Sequence, residues 1–511
     1  MNWGKVFLIG AGPGDPKLIT VRGLEALRKA DAIVYDRLAN PRLLRHARRD
    51  AQKIFVGKVP DKHMMKQDDI NRLLVELAME GKTVARLKGG DPSVFGRVGE
   101  EAEALAERGI EFEIIPGVTS AIAVPAYAGI PVTHRDFTSS FSIVTGHEYP
   151  NKTYSSVNWR HLAEASGTLI FLMGVANIDN IASELIRWGK PADTPVALIR
   201  WGTWVEQRTL TGTLGTIAER VRATGFESPA VIIVGDVVKL REKISWFERK
   251  PLFGKRILVT RARSQASGLA ERIDELGGEA VEFPVIDIRP PSDDRIVREL
   301  DAALARLAEF DWVIFTSVNG VEYFFGRLRQ LRIDIRSLHR AKIVAVGPKT
   351  AEALGERGLI ADTIAAEYRQ EGIADALLPQ LTPGQKALLP TSNIARDVLP
   401  DRLRERGIET TVVAVYENVP SAEYGEEVLE LLRQRAIHIV TFTSSSTVKN
   451  FVQALRELGA DDPPALLEGV DIACIGPVTA RTAEEAGLKV DYVAEEATIE
   501  ALVRAMAASR Q

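Results

Sequence analysis

Cysteine is nearly absent from this chain. One residue, Cys474, occurs in 511, which excludes an internal disulfide and a cysteine-rich metal centre. Cys474 lies in the run Val470–Ile475, which predicts a buried, inert thiol rather than a nucleophile. No apolar run reaches the length that spans a bilayer, so no membrane partner is expected. The N-terminal MNWGKVFLIGAG has no charged-then-apolar signal layout, and the expectation is a cytoplasmic protein. An excess of positive charge is missing too. Lys and Arg number 65 against 69 Asp and Glu, a net charge of −4, so no global basic field suits nucleic acid. An anionic ligand must be met by local Arg, Lys and His. No metal site and no low-complexity segment is expected.

What is present is an ordinary globular composition, 45% apolar and 26% charged. The length exceeds what one core sustains and predicts about three or four compact units. The first half alternates short apolar runs with amphipathic ones: strands at Val6–Ile9, Ala32–Tyr35, Thr83–Leu87 and Phe112–Ile115, helices at Leu18–Lys29, Ile70–Met79 and Glu100–Glu107. That order predicts a mostly parallel α/β sheet. A second α/β region follows Pro116-Gly117, with strands at Phe141–Thr145, Leu169–Met173, Val196–Ile199 and Ala230–Val234. Trp246–Gly254, with Pro251 and Gly254, reads as a short linker (248–254 at its narrowest).

The second half repeats itself. VIFTSVNGVEYFF (313–325) aligns with VTFTSSSTVKNFV (440–452), and VGPKTAEALGERGL (346–359) with IGPVTARTAEEAGL (475–488). ILVTRARSQ (257–265) loosely matches LLPTSNIAR (388–396). Three blocks in one order at nearly one spacing indicate a duplicated α/β unit. Two similar lobes make a cleft, a usual place for a ligand.

Two glycine-rich loops carry the first half's chemistry. GAGPGDP (10–16) follows a strand and precedes a helix, and Asp36 closes the next strand, which suggests a dinucleotide fingerprint. The fingerprint fails in detail: Asp15 stands where a third glycine is required, and Pro13 and Pro16 remove two N–H donors. In LKGGDP, Gly89 and Gly90 let backbone approach a ligand, Asp91 can accept from an amine or a ribose hydroxyl, and Pro92 stiffens the exit.

With YDRL (35–38), VGK (56–58), PGVTSA (116–121) and YAGIPVTHR (127–135), these loops resemble the uroporphyrinogen-III C-methyltransferase branch of the tetrapyrrole methylases over residues 1 to about 247. The resemblance implies two α/β subdomains (1–116 and 117–247), a homodimer, and S-adenosylmethionine bound in the cleft between them, leaving as S-adenosylhomocysteine. It places cofactor contacts at Pro13, Gly89, Gly90, Asp91, Val94, Thr119, Ser120, Met173 and Gly202, with Asp36 as base and Lys58 as acid. His134 and Arg135 could meet substrate carboxylates or form a structural ion pair. Val59-Pro60 and Val98 depart from the family pattern, in the substrate loop and after GGDP. Without the motif, Asp36 reads as a solvated strand-end carboxylate and Lys58 as a surface lysine.

The second half is similar to uroporphyrinogen-III synthase through LVTRAR (258–263), DWVIFTS (311–317), AVGPKTA (345–351), VYEN (415–418), TFTSSSTV (441–448) and CIGPVTA (474–480). The implied fold is a two-lobed, flavodoxin-like, internally duplicated α/β structure. One lobe is discontinuous (252–287 plus 417–511) and the other spans 288–416. No cofactor is implied. Tyr416 is the candidate proton donor and Thr479 the group that orients substrate; packing is the alternative for Tyr416. Ser317 and Ser444 begin helices whose N–H groups suit carboxylates, or simply cap them. The fused reading is synthesis of uroporphyrinogen III from hydroxymethylbilane, then methylation at C-2 and C-7 to precorrin-2, on the siroheme or cobalamin branch. The rivals are a related methylase with another target (a later corrinoid or ribosomal RNA), a nicotinamide oxidoreductase, and a ligand sensor with a degenerate synthase-like half. No dehydrogenase and chelatase module is recognised, so the chemistry is expected to stop at precorrin-2.

Overall fold

The computed structural model describes all residues except 1–2, 58–64, 147–156, 166, 262, 366–376, 395–397, 422–423 and 509–511. The chain divides into two compact units: residues 1–256 with 273–279 and 507–511, and residues 257–272 with 280–506.

The first unit opens with a five-stranded parallel sheet: β1 (Val6–Gly10), β2 (Ala32–Tyr35), β3 (Gln52–Phe55), β4 (Val84–Lys88) and β5 (Phe112–Ile115), in the order β3-β2-β4-β1-β5. Strands buried on both faces need apolar residues throughout, and β1 is wholly buried. Val6 and Leu8 pack with Leu74 and Leu77 of α2 (Gln67–Met79) and Leu105 of α3 (Val98–Glu107). Phe7 and Ile9 turn the other way, onto Ala26 and Leu27 of α1 (Val21–Lys29).

The next sheet contains β6 (Phe141–Thr145), β7 (Thr168–Leu172), β8 (Pro195–Arg200), β9 (Arg208–Thr213) and β10 (Ala230–Val234), in the order β6-β7-β10-β8-β9. Only β6–β7 is parallel here; β7–β10, β10–β8 and β8–β9 are antiparallel. The short connection from β8 to β9 permits a hairpin but not a crossover, which fixes the antiparallel pairing. Ala121 and Val124 of α4 (Ser120–Tyr127) pack on this sheet against Ile170, Leu172, Ala197 and Ile199.

The second unit holds two further sheets. One runs β12-β11-β19-β20-β21, from β11 (Arg256–Val259), β12 (Glu279–Glu282), β19 (Ile439–Phe442), β20 (Asp471–Cys474) and β21 (Tyr492–Val493). The other runs β13-β18-β17-β14-β15-β16, from β13 (Ile286–Arg289), β14 (Trp312–Phe315), β15 (Lys342–Val346), β16 (Thr363–Ala365), β17 (Lys386–Ser392) and β18 (Glu409–Pro420). The repeated blocks occupy equivalent places: β17-β14-β15-β16 matches β11-β19-β20-β21, and all the strand pairs within each set are parallel. Each lobe has its own core, around Phe315 and Phe324 in one and Phe442 and Phe451 in the other. Cys474 is fully buried in the latter, and desolvation pushes its thiol up to about 12. No helix among the described residues is long and apolar enough to cross a membrane, and no three His, Cys, Asp or Glu side chains among them group to hold a metal.

Candidate active sites

The carboxyl ends of β1, β2, β4 and β5 converge, as ligand-binding edges of parallel sheets do. The loop after β1 is bonded to the loop after β4: Gly90 N donates to Gly12 O at 2.7 Å and Gly12 N to Gly90 O at 3.2 Å. Three backbones cross here without side chains. A Cβ on Gly10 would lie 2.5 Å from Gly117 Cα, and one on Gly117 would lie 2.4 Å from Gly90 O. Gly90 has φ of +69°, and its open side faces Ser120 N at 3.6 Å from an added Cβ. The result is a cradle lined by main chain.

Asp91 braces this cradle. Its Oδ1 accepts from Ser93 N at 2.7 Å and its Oδ2 from Gly117 N at 2.9 Å. Each oxygen keeps a lone pair for a ligand, but the carboxylate also ties the β4 loop to the β5 loop. Thr119 caps α4, its Oγ1 accepting from Ala121 N at 3.3 Å, and Ser120 opens the helix. Val94 packs on the core of the second sheet. Gly202 is buried against α4, where a Cβ would meet Val124 Cγ1 at 2.3 Å. Pro13 is half-buried beside Gly14, whose carbonyl accepts from Asn40 Nδ2 at 2.7 Å. Asp15, the residue that spoiled the dinucleotide fingerprint, accepts from Tyr127 Oη at 2.8 Å, and its N–H donates to Thr203 Oγ1 at 3.0 Å. Burial raises the Tyr127 phenol above its ordinary range, which keeps it a donor to Asp15.

The backbone is strained around this site. Phe95 (φ 54°) and Arg97 (φ 58°) follow β4, Met173 (φ 57°) follows β7, and Trp201 (φ 47°) and Thr203 (φ 72°) follow β8. Left-handed non-glycine residues persist only where their surroundings over-determine them, and they collect at functional loops. Met173 is 53% exposed, so its side chain is open to a ligand.

Asp36 directly follows β2 and is half-buried. Its Oδ1 accepts from Leu38 N at 3.0 Å and its Oδ2 lies 3.4 Å from Arg86 Nη2. Sequence reasoning missed what stands behind it. Arg86 and Lys88 project from β4 on the face of Val84 and are 3% and 5% exposed. Glu101 of α3 is fully buried and accepts on Oε1 from Arg86 Nε at 3.2 Å and Lys88 Nζ at 2.7 Å. The available signal was two cations, two apart, in the otherwise apolar strand VARLK; that spacing puts both on one face. Also unforeseen is Arg37, whose guanidinium lies 5.4 Å from the Trp201 ring centroid.

His134 and Arg135 sit on a turn before β6. His134 N donates to Thr138 O and His134 Nδ1 accepts from Asp136 N at 3.2 Å. Among the described residues no hydrogen bond or ion pair joins either to Asp36 or to the Gly89–Asp91 loop. Lys58 lies outside the described residues.

In the second unit, Tyr416 sits on β18, 8% exposed, where pairing with β17 shifts register between Thr391 and Ser392. Its hydroxyl is 3.3 Å from Ser317 Oγ, and its ring stacks on Tyr323 at 5.7 Å and 30°. Tyr323 Oη donates to Ile288 O. Ser317 caps the helix Val318–Leu331, accepting from Gly320 N at 3.0 Å. Ser444 caps Ser445–Glu457 in a capping box with Thr447: Ser444 Oγ accepts from Thr447 N and Ser444 N donates to Thr447 Oγ1, both at 3.2 Å. Thr479 is buried in the first turn of the helix Pro477–Glu485. Thr482 Oγ1 donates to Ser445 Oγ at 2.8 Å, joining the FTS and GPVTA turns. The structure thus groups Tyr416 with Ser317, and places Ser444 and Thr479 on adjoining turns of the other lobe. A cavity of about 280 Å³ beside Tyr323 and Val415 falls below the usual range for a sizeable organic ligand and is not taken as the substrate site.

Comparison with known proteins covers both units. Residues 5–218 match the family of Tetrapyrrole (Corrin/Porphyrin) Methylases and residues 267–504 match Uroporphyrinogen-III synthase HemD. The porphyrin biosynthesis protein HemD of Ruminiclostridium josui is 40% identical over 504 residues, 98% of this chain and 97% of that one. A uroporphyrinogen-III C-methyltransferase of Bacillus subtilis is 39% identical over 477 residues, 93% and 92% of the two chains. The S-adenosyl-L-methionine-dependent uroporphyrinogen III methyltransferase of Methanosarcina barkeri is 52% identical over 241 residues, 47% of this chain and 94% of its own.

Proposed function

From the premise that this chain belongs to the fused tetrapyrrole methylase and uroporphyrinogen-III synthase family, a family of bifunctional tetrapyrrole-biosynthesis enzymes, we propose the following division of labour. The second unit closes hydroxymethylbilane to uroporphyrinogen III with loss of water. The first unit then methylates that product at C-2 and C-7, using two S-adenosylmethionine, to precorrin-2. The observation that carries this reading is that one chain supplies both a main-chain cradle at the end of a parallel sheet and, downstream, the duplicated lobes.

The residues of the first unit fit S-adenosylmethionine. Gly89 and Gly90 give main-chain approach, Asp91 and Thr119 offer polar atoms beside them, and Met173 and Gly202 are proposed as further contacts. The cofactor supplies an electrophilic methyl group with its own leaving group, so the protein's task is alignment and removal of one proton from carbon. Asp36, held by Leu38 N and Arg86, is the proposed proton acceptor; Lys58 is proposed as the acid. His134 and Arg135 are proposed contacts for substrate carboxylates; a turn with one exposed arginine supports that role.

In the second unit Tyr416 Oη is proposed to donate a proton to the leaving hydroxyl, with Ser317 Oγ as its partner at 3.3 Å. Thr479 orients substrate. Acetate and propionate groups are proposed to meet the N–H groups of the helices capped by Ser317 and Ser444. The proposed boundaries are 1–116 and 117–247 for the methylase, 248–254 for the linker, and 252–287 with 417–511 and 288–416 for the synthase lobes. A homodimer through the methylase half, a cytoplasmic location and supply of the siroheme or cobalamin branch complete the reading.

The test is to give the purified chain hydroxymethylbilane and isotope-labelled S-adenosylmethionine. A macrocycle carrying two labelled methyl groups is expected. Reduction of a pyridine nucleotide, or unmethylated products alone, would contradict it.

A further inference from the structure

We infer that Glu101 is a positioning residue for methyl transfer: through Arg86 it fixes the guanidinium against which Asp36 receives the substrate proton. The inference rests on Asp36 being the base.

Four side chains from three elements meet behind Asp36: Arg86 and Lys88 of β4, Glu101 of α3 and Gln67 of α2. Glu101 Oε1 accepts from Lys88 Nζ at 2.7 Å, from Arg86 Nε at 3.2 Å and from Gln67 Nε2 at 3.2 Å. Glu101 Oε2 is buried and has no partner among the described residues. A carboxylate that served packing alone would satisfy both oxygens, because an orphaned buried acceptor is costly. Apolar residues of similar volume would also fill this space at less cost than buried ions. The arrangement therefore concentrates every donor on the oxygen nearest Arg86 and Lys88.

The consequence is a fixed guanidinium. Arg86 Nη1 donates to Leu87 O at 3.0 Å, Nε is held by Glu101, and Nη2 is left facing Asp36 at 3.4 Å. Arg86 and Lys88 bring two positive charges; Glu101 and an ionised Asp36 bring two negative ones. A proton taken from substrate by Asp36 removes one of those negative charges beside Arg86, whose orientation is set by Glu101. Burial lowers the Lys88 ammonium from its ordinary value, and the neighbouring Arg86 charge adds to that. Removing the Glu101 charge frees Arg86 to relax away from Asp36.

A double-mutant cycle in the full chain separates the possibilities. Glu101→Gln is expected to lower kcat for methylation of uroporphyrinogen III roughly 10- to 100-fold. KM for S-adenosylmethionine and for uroporphyrinogen III should stay within about two-fold, and cyclisation of hydroxymethylbilane should be unchanged. In an Asp36→Asn background the same change should cost nothing further. Arg86→Lys keeps the charge but loses the fork, and should show the same non-additive loss if Glu101→Gln fails to fold. Equal losses in both backgrounds, an unchanged kcat, or a change confined to KM and thermal midpoint would each overturn the inference. Wild-type kcat in Asp36→Asn alone would overturn the assignment of the base, and the inference with it; a slow Asp36→Asn with additive Glu101→Gln overturns the inference alone.

Discussion

The loops around the two candidate sites differ in what they ask of the backbone. Among the described residues of the first unit, five non-glycines hold left-handed conformations, all on loops at the carboxyl ends of β4, β7 and β8. Among the described residues of the second unit, the left-handed non-glycines are Arg332, Tyr424 and Arg435, which flank helix ends away from the FTS and GPVTA turns. The first site also buries Arg86, Lys88 and Glu101, whereas the second is assembled from helix caps and a tyrosine pair. The difference matches the chemistry. In-line methyl transfer needs one geometry, so strain and buried charge are tolerated to hold it. Ring closure of a flexible chain is governed by how the cleft folds it, and one hydroxyl matters less.

The largest effect should come from breaking the cradle. Gly117→Ala drives a methyl group to within 2.4 Å of Gly90 O, displacing the Gly89–Asp91 loop. Methylation should fall roughly 100-fold while cyclisation persists, measured by separate assays on one preparation. Asp91→Ala should come next. It removes the acceptor for Ser93 N and Gly117 N, and S-adenosylmethionine affinity by calorimetry should weaken roughly 10-fold, the cost of about one charge-assisted hydrogen bond. Unchanged affinity would show that Asp91 braces the loops without touching the cofactor.

Effects in the second unit should be smaller if the contrast holds. Tyr416→Phe loses a single 3.3 Å contact to Ser317, and should slow cyclisation by roughly 10-fold or less while raising the share of the uncatalysed type I isomer. A loss comparable to that of Gly117→Ala would erase the distinction between the halves. Smallest of all is Glu417, whose carboxylate is held below its ordinary range first by the Arg289 guanidinium at 2.6 Å and then by Ser292. A lowered folded-state value means that the stabilisation is present above pH 4.5 and is lost as pH falls through the folded-state value. Glu417→Gln should therefore cost at most about 1 kcal/mol at neutral pH and flatten the acid side of the unfolding profile.

Much of this architecture was legible in residue patterns. β1, β2, β4 and β5 follow from short, mostly apolar runs, and the duplication in the second half from FTS and GPxTA recurring together. The serine caps were readable because Ser317 and Ser444 precede amphipathic helices. β9 escaped notice because RTLTGT is mostly polar and sits on a sheet edge. That omission hid the hairpin and with it the antiparallel character of the second sheet. The Glu101 cluster and the Tyr416–Ser317 contact were not legible for another reason: their partners lie on separate elements, and only tertiary packing brings them within reach. Asp15 shows the converse. Its place in GPGDP argued against one cofactor, but its bonds to Tyr127 and Thr203 required the loop after β8 to be seen.

The central claim is that one chain carries two chemically separate sites acting in sequence. The most direct measurement feeds the Asp36→Asn chain with hydroxymethylbilane and S-adenosylmethionine and follows both products. Uroporphyrinogen III should accumulate at the wild-type rate with almost no methyl incorporation. Slowed ring closure, or methylated macrocycle formed at the unaltered rate, would contradict the account.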